Sequence, residues 1–476
     1  MPAKVKIIIS DTHIGAGGAD SGNPLDDFTS DAHFFEWVHS LIDESERTGA
    51  DMDFIINGDG IEFLQVPDIE TFDPCVIYPT DAYRNVSEGA SLRRLEVVHA
   101  GHSQFFQALA DFLSVGPPRR TVTFLFGNHD PELAYTKVQS RIKDFLGAHG
   151  EKRKLVRVGE RFYFEDGVYV EHGNAYTELI NAFTDADHPF DPENPELIQR
   201  PPGSYVVTDY YNRIERQRPW IDGVHPLTAL IFYALAYDPA FALGALKALV
   251  QASPALVVDV LATGPQPDEP EEEWLAELEM QDERELAEHL AKDREFAGSF
   301  AEQVASSLMK RGVVPSKGGM RLATGPSTPP PPQRRAREIV EYYWQMLEDA
   351  ALRVSLETKA KVVCFGHTHE WVEKKLSSGA VYLNTGTWIW KANFKDSPDA
   401  VWHDLIVHPE KYMNHRKLSY ARIDISARGK ITSAHLLLSN DPGPEPQPPG
   451  YLPPSGLWAR MVLAVQKIVA KVIGWL

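Results

Sequence analysis

The chain has 476 residues, 43% of them apolar and 24% charged, an ordinary balance for a soluble globular protein and a length too great for one small core. A formal net charge of -20 at pH 7 opposes general affinity for nucleic acid or anionic membranes, because polyphosphate surfaces repel it. Cys75 and Cys364 lie far apart in sequence and form no disulfide framework, while the N-terminal apolar run meets Asp11 too soon for a signal peptide. The chain therefore reads as cytoplasmic.

In chain order, Val5–Ile9 is a β-branched run of buried-strand character that ends in Ser10-Asp11-Thr12-His13. A helix is predicted over about Ser30–Arg47, with Phe34, Trp37, Val38, Leu41 and Ile42 at helical spacing. A second strand, Met52–Ile56, runs into Asn57-Gly58-Asp59-Gly60-Ile61-Glu62. One long helix is predicted over about Val86–Leu113, with His99 and His102 as structural or exposed residues within it. A strand Thr121–Phe126 ends in Gly127-Asn128-His129-Asp130, and Val168–Val170 ends in Glu171-His172-Gly173-Asn174. After a long interruption, Val362–Phe365 delivers Gly366-His367-Thr368-His369, and Ala380–Leu383 ends in Asn384-Thr385-Gly386-Thr387. On an extended chain, residues two apart point to one side, so His367 and His369 are expected to face a single point.

Polar and metal-binding residue types thus collect at the C-terminal ends of strands, where open α/β sheets place their ligand sites. Two carboxylates (Asp11, Asp59), one amide (Asn128) and four imidazoles (His13, His172, His367, His369) form a mixed oxygen and nitrogen set. Such a set suits Mn, Fe or Zn better than Ca. Seven ligands exceed one tetrahedral ion and match two ions bridged by a carboxylate, a known device for displacement at phosphorus by a bridging hydroxide. His129, next to Asn128, is the natural general acid for a leaving alkoxide.

Asp-x-His, Gly-Asp-x-x-Glu, Gly-Asn-His-Asp, His-Gly and Gly-His-x-His occur here in that order. By them the chain resembles the calcineurin-like metallophosphoesterases over roughly residues 4–173 and 360–430. The resemblance implies Asp11, His13 and His369 on one metal, Asn128, His172 and His367 on a second, and Asp59 bridging. It implies His129 acting at the leaving group and Glu62 orienting that histidine. The implied fold is α/β, a sandwich of two mixed β-sheets flanked by helices. The implied activity is hydrolysis of a phosphate ester with two divalent ions, Mn foremost and Fe or Zn next. The fourth motif reads His172-Gly173-Asn174, where many relatives carry other residues after the glycine, so it does not assign a subfamily.

The expected organisation is a first part of the phosphoesterase core (1–174), an α-helical cap insertion (175–338), a second part of the core (339–440), and a Pro-rich linker with an amphipathic C-terminal helix (441–476). Within the insertion, Leu227–Ala262 is almost free of charge and is broken by Pro239 and Pro254, so a buried helical hairpin is expected rather than membrane spans. Tyr210, Arg213 and Arg216 are candidates to meet phosphate. Trp388 and Trp390 are expected to pack in the core. In Leu457–Leu476, Arg460, Lys467 and Lys471 share one helical face and Trp458 and Trp475 sit near the ends. That segment reads as an interfacial membrane anchor, or as an apolar face that packs on the protein itself or on a second copy of the chain. The expected partner is a small-molecule or lipid-linked phosphate ester, a phosphodiester or a pyrophosphate. A phosphomonoesterase and a non-catalytic scaffold are the alternatives, and nucleic acid is disfavoured by the acidic balance.

Overall fold

The computed structural model describes residues 2–177, 179–252, 283–293, 296–301, 304–305, 332–392 and 399–446. The 457–476 segment lies outside the described residues. Two mixed sheets face each other. The first has the order β11-β10-β1-β2-β3-β4, from β1 (Lys4–Ile9), β2 (Asp51–Asn57), β3 (Arg120–Leu125), β4 (Val156–Glu160), β10 (Ser419–Ile425) and β11 (Ile431–Leu438). In it β1 to β4 are parallel and β10 and β11 run antiparallel on one edge. The second has the order β5-β6-β7-β9-β8, from β5 (Phe162–Glu165), β6 (Val168–Glu171), β7 (Val362–Phe365), β8 (Trp371–Lys375) and β9 (Val381–Thr385). Here β6, β7 and β9 are parallel between antiparallel edges. The sandwich of two mixed sheets flanked by helices is thus present.

The parallel strands are buried on both faces, which is why they read as continuous apolar runs. Ile8, Ile55, Leu125, Val170, Cys364 and Leu383 meet between the sheets. On β1 and β2 the alternate positions Ile7, Ile9, Phe54 and Ile56 turn outward. They pack under α1 (Asp31–Thr48), α2 (Glu88–Gly101), α3 (Ser103–Phe112) and α4 (Thr136–Phe145).

The long helix expected over Val86–Leu113 is two helices. The chain leaves helical geometry at His102, with φ -124° and ψ 43°. The His102 ring is held there by Asp31 (Nδ1, 2.9 Å) and Asp26 (Nε2, 3.0 Å). These tertiary hydrogen bonds override a continuous helical pattern.

The inserted segment contains a helical run of Pro202–Val206, a π-helical turn Val207–Tyr211 and Asn212–Ile214. It continues with α5 (Leu227–Tyr237), α6 (Pro239–Ala252) and α7 (Glu283–Lys292). Leu230, Phe232, Leu235, Phe241 and Leu246 build a separate apolar core there, joined by Trp390, Trp402 and Leu405 from beyond β9. The 338/339 boundary falls inside one helix, α8 (Pro332–Thr358). Its first half puts Ala336, Ile339 and Tyr343 into the inserted core, and its second half packs Leu347, Ala350 and Val354 on the second sheet. No helix among the described residues is long and apolar enough to cross a membrane.

Candidate metal centre

Every candidate ligand comes from the C-terminal end of a parallel strand. From the first sheet, β1 leads to Asp11 and His13, β2 to Asp59 and Glu62, and β3 to Asn128 and His129. From the second, β6 leads to His172 and β7 to His367 and His369. The antiparallel strands contribute none of them. Asp11, His13, Asp59, His367 and His369 all have positive φ, between 43° and 67°. For non-glycine residues this left-handed geometry costs on the order of 1–3 kcal/mol each, and it persists where surrounding structure enforces it, commonly at functional sites. Among the described non-glycine residues only Asp166 and Lys359 share it outside the site.

Two clusters result. Potential ligand atoms of Asp11, His13 and His369 lie within 4.8 Å of one another, as do those of Asp59, His172 and His367. His13 and His369 approach through their Nε2 atoms at 3.2 Å, and His369 Nε2 lies 3.3 Å from Asp11 Oδ1. His172 Nε2 lies 2.9 Å from Asp59 Oδ2, while the far nitrogen, Nδ1, is 3.0 Å from the Asn57 carbonyl. That second contact fixes Nδ1 as the donor and leaves Nε2 to face the cluster, the usual arrangement for a ligating imidazole. His367 and His369 thus serve different clusters rather than one point, because both leave the extended conformation at their positive φ.

Backbone contacts tie the loops together. The His367 N–H donates to both Asp11 carboxylate oxygens at 3.1 Å. The Asp11 carbonyl accepts from Trp388 N–H (3.1 Å) and the Thr387 hydroxyl (2.7 Å). Asn384 donates to Gly366 O (2.8 Å). Asp130 does not reach the clusters as a ligand. Its carboxylate accepts from the N–H groups of Asp59, Gly60, Ile61 and Gly127 at 2.6–3.2 Å and so clamps the loop that carries Asp59. Gly127 must be glycine, since a Cβ there would stand 2.2 Å from Asp59 Oδ1.

The charge distribution is what cations would satisfy. Burial pushes Asp59 up, but His172 and His129 outweigh it and hold the carboxyl well below its usual range. Burial and the charge of Asp59 raise Asp11, against opposing pulls from His172 and His13. Burial, with His172 beside it, lowers His367 to about 3, and burial with His13 takes His369 well below its ordinary value. Both rings are therefore neutral, with lone pairs free to ligate. Asn128 Oδ1 is buried with no hydrogen-bond partner, and buried polar atoms are rarely left so without cause. The residues fit two divalent ions.

Glu62 does more than the resemblance implies. Its Oε2 is 2.6 Å from His129 Nδ1 and 2.8 Å from His13 Nδ1, and Oε1 accepts from Leu64 N–H. It orients two imidazoles at once. Burial lowers the His129 pKa, but Glu62 and Asp59 outweigh burial and raise it to about 10, so the ring carries a proton to give.

Beside the clusters lies a cavity of about 80 Å³. One wall is His13, Glu62, Asn128, His129 and His369; the facing wall includes Tyr211, Ile221, Asp222, Val224 and His225 of the insertion. No Lys or Arg is among the described lining residues. Asp222 groups with Asp27 and Glu215, and Gln65 donates to Glu215 at 2.9 Å. None of Asp222, Glu215 and His225 follows a strand or belongs to a repeating motif, so sequence reasoning missed them. Arg213 and Arg216 are exposed and do not line the cavity, and Tyr210 donates to Phe241 O (3.1 Å). A further acidic group, Asp53, Glu165 and Asp166, is met by Lys4 and the fully buried Lys6 at 2.8–4.0 Å and needs no metal.

No family model matches the chain, and no curated protein matches it. Among solved structures it is similar to a dimetal phosphatase from Danio rerio, with 9% identity, a TM-score of 0.29, and coverage of 92% of this chain and 100% of that one. A score this low carries no weight for the site; the strand order and the side-chain distances do.

Proposed function

We propose that the chain is a dinuclear metal-dependent phosphohydrolase that cleaves a phosphate ester of small-molecule or lipid type, a phosphodiester or pyrophosphate. The observation that carries this reading is the pair of buried ligand clusters with a carboxylate-held His129 on the same cavity. Asp11, His13 and His369 would hold one ion, Asn128, His172 and His367 the other, with Asp59 between them. Bound Mn, Fe or Zn supplies charge stabilisation at phosphorus and a water of lowered pKa. His129 gives its proton to the leaving oxygen, and Glu62 holds that ring by Nδ1, so the opposite nitrogen faces outward. Val224, Ile221 and Tyr211 on the facing wall give an apolar leaving group a surface to bury, which supports the lipidic end of the range.

The test is hydrolysis of a chromogenic phosphodiester and its monoester by metal-stripped full-length protein with Mn²⁺ restored, beside His129→Ala. Diester turnover that needs metal and is lost in the variant is the expected result. Monoester preference would move the reading to a phosphomonoesterase. Failure to bind metal would sink the enzyme and leave a scaffold.

A further inference from the structure

We propose that His225, supplied by the inserted segment, is a phosphoryl-binding residue of the centre, donating an imidazole N–H to an oxygen of the bound phosphate. The proposal rests on the dinuclear reading above and adds a contact from outside the strand ends.

His225 lines the same cavity as His13, Asn128, His129 and His369. Its ring stacks on His369 with centroids 4.5 Å apart and planes 20° apart, and it stands 5.7 Å from His367. Two plainer roles fail. A structural histidine satisfies its nitrogens, as His102 does with Asp26 and Asp31, whereas His225 Nδ1 is buried and has no hydrogen-bond partner. A further metal ligand would place a ring nitrogen among the ligand atoms of its neighbours, as His13 and His369 do with Asp11. His225 lies nearly parallel to His369 and at 79° to His367, and it joins none of the candidate metal groups among the described residues.

The segment is rigidly set. Trp220, Ile221 and Val224 are buried, and Gly223 O accepts from Ala392 N–H at 2.9 Å. The Trp390 ring occupies the space of a Cβ at Gly223, 2.1 Å away. A donor placed without mobile linkage loses little entropy on binding. With no Lys or Arg on the described lining, phosphate oxygens that face the insertion must meet neutral donors. An imidazole offers at least one N–H in any protonation state, and His225 is the donor stacked on a candidate ligand.

The experiment loads the full chain with Mn²⁺, counts bound metal, and measures binding of inorganic phosphate by calorimetry for wild type, His225→Ala and His225→Gln. Two metals in all three proteins are expected, with phosphate bound on the order of tenfold more weakly by the alanine variant, as for one lost hydrogen bond. Partial recovery is expected in the glutamine variant, which keeps an N–H. Unchanged phosphate affinity in His225→Ala overturns the proposal. So does a lower metal count in that variant, which would make His225 a support of His369 instead. Wild type that holds two metals but no phosphate refutes the contact and leaves the dinuclear reading standing; wild type that holds no metal removes both.

Discussion

The two walls of the cavity are built by different means. The strand-end wall is set by sheet register: β1, β2 and β3 run parallel with their ends level, as do β6, β7 and β9, so residues just past each end meet without further instruction. The insertion wall has no register. Asp222 and His225 arrive because an independent apolar core, with Trp390 and Trp402 within it, docks the segment against the sandwich. One wall therefore belongs to the backbone and the other to side-chain packing. Substitutions should separate them.

The largest effect is expected at Asp59, the carboxylate proposed to lie between the two ions. Asp59→Ala should abolish turnover and lower bound metal from two ions to one or none, with a cooperative melt retained; two ions still bound would remove Asp59 from the centre. His129→Ala should cost on the order of 10²–10⁴-fold in kcat at unchanged metal content. Glu62→Gln should lower kcat too, and also weaken metal binding, because it releases His13 as well as His129. A kcat loss with metal affinity intact would show that the His13 contact is dispensable.

Behind the strand-end wall, burial pulls His102 down, but the hydrogen bonds its ring donates to Asp26 and Asp31 outweigh it and lift the pKa to about 9. Its folded pKa exceeds the unfolded value of about 6.5, so its contribution is complete below pH ~6.5 and is lost as pH rises through about 9. The shift corresponds to about 3 kcal/mol. Thermal melts should therefore show wild type losing stability between pH 7 and 9.5 more steeply than His102→Gln. Parallel profiles would dismiss the pairing. On the insertion wall, Gly223→Ala forces a Cβ into the Trp390 ring and should cost roughly 1–3 kcal/mol in denaturant unfolding while both metals stay bound. Lost metal would mean that the walls are coupled.

The core strands were legible because buried parallel strands are short apolar runs with abrupt polar ends; Val362–Phe365 was read at its observed limits. Edge strands such as β5 and β8, with mostly exposed residues, carry no such signal. The break at His102 was hidden because its cause lies in Asp26 and Asp31, remote in sequence. The grouping of candidate residues was open to reading; the left-handed backbone at Asp11, His13, Asp59, His367 and His369 was not, since nothing local asks those residue types to adopt it.

The sequence by itself determined the strand ends and the chemical character of what they carry, because both depend on residues adjacent in the chain. Only the tertiary structure decided that Glu62 holds two rings, that α8 serves two cores, and that His225 faces the centre. Each of those depends on contacts between segments far apart in sequence, where packing rather than local preference selects the geometry.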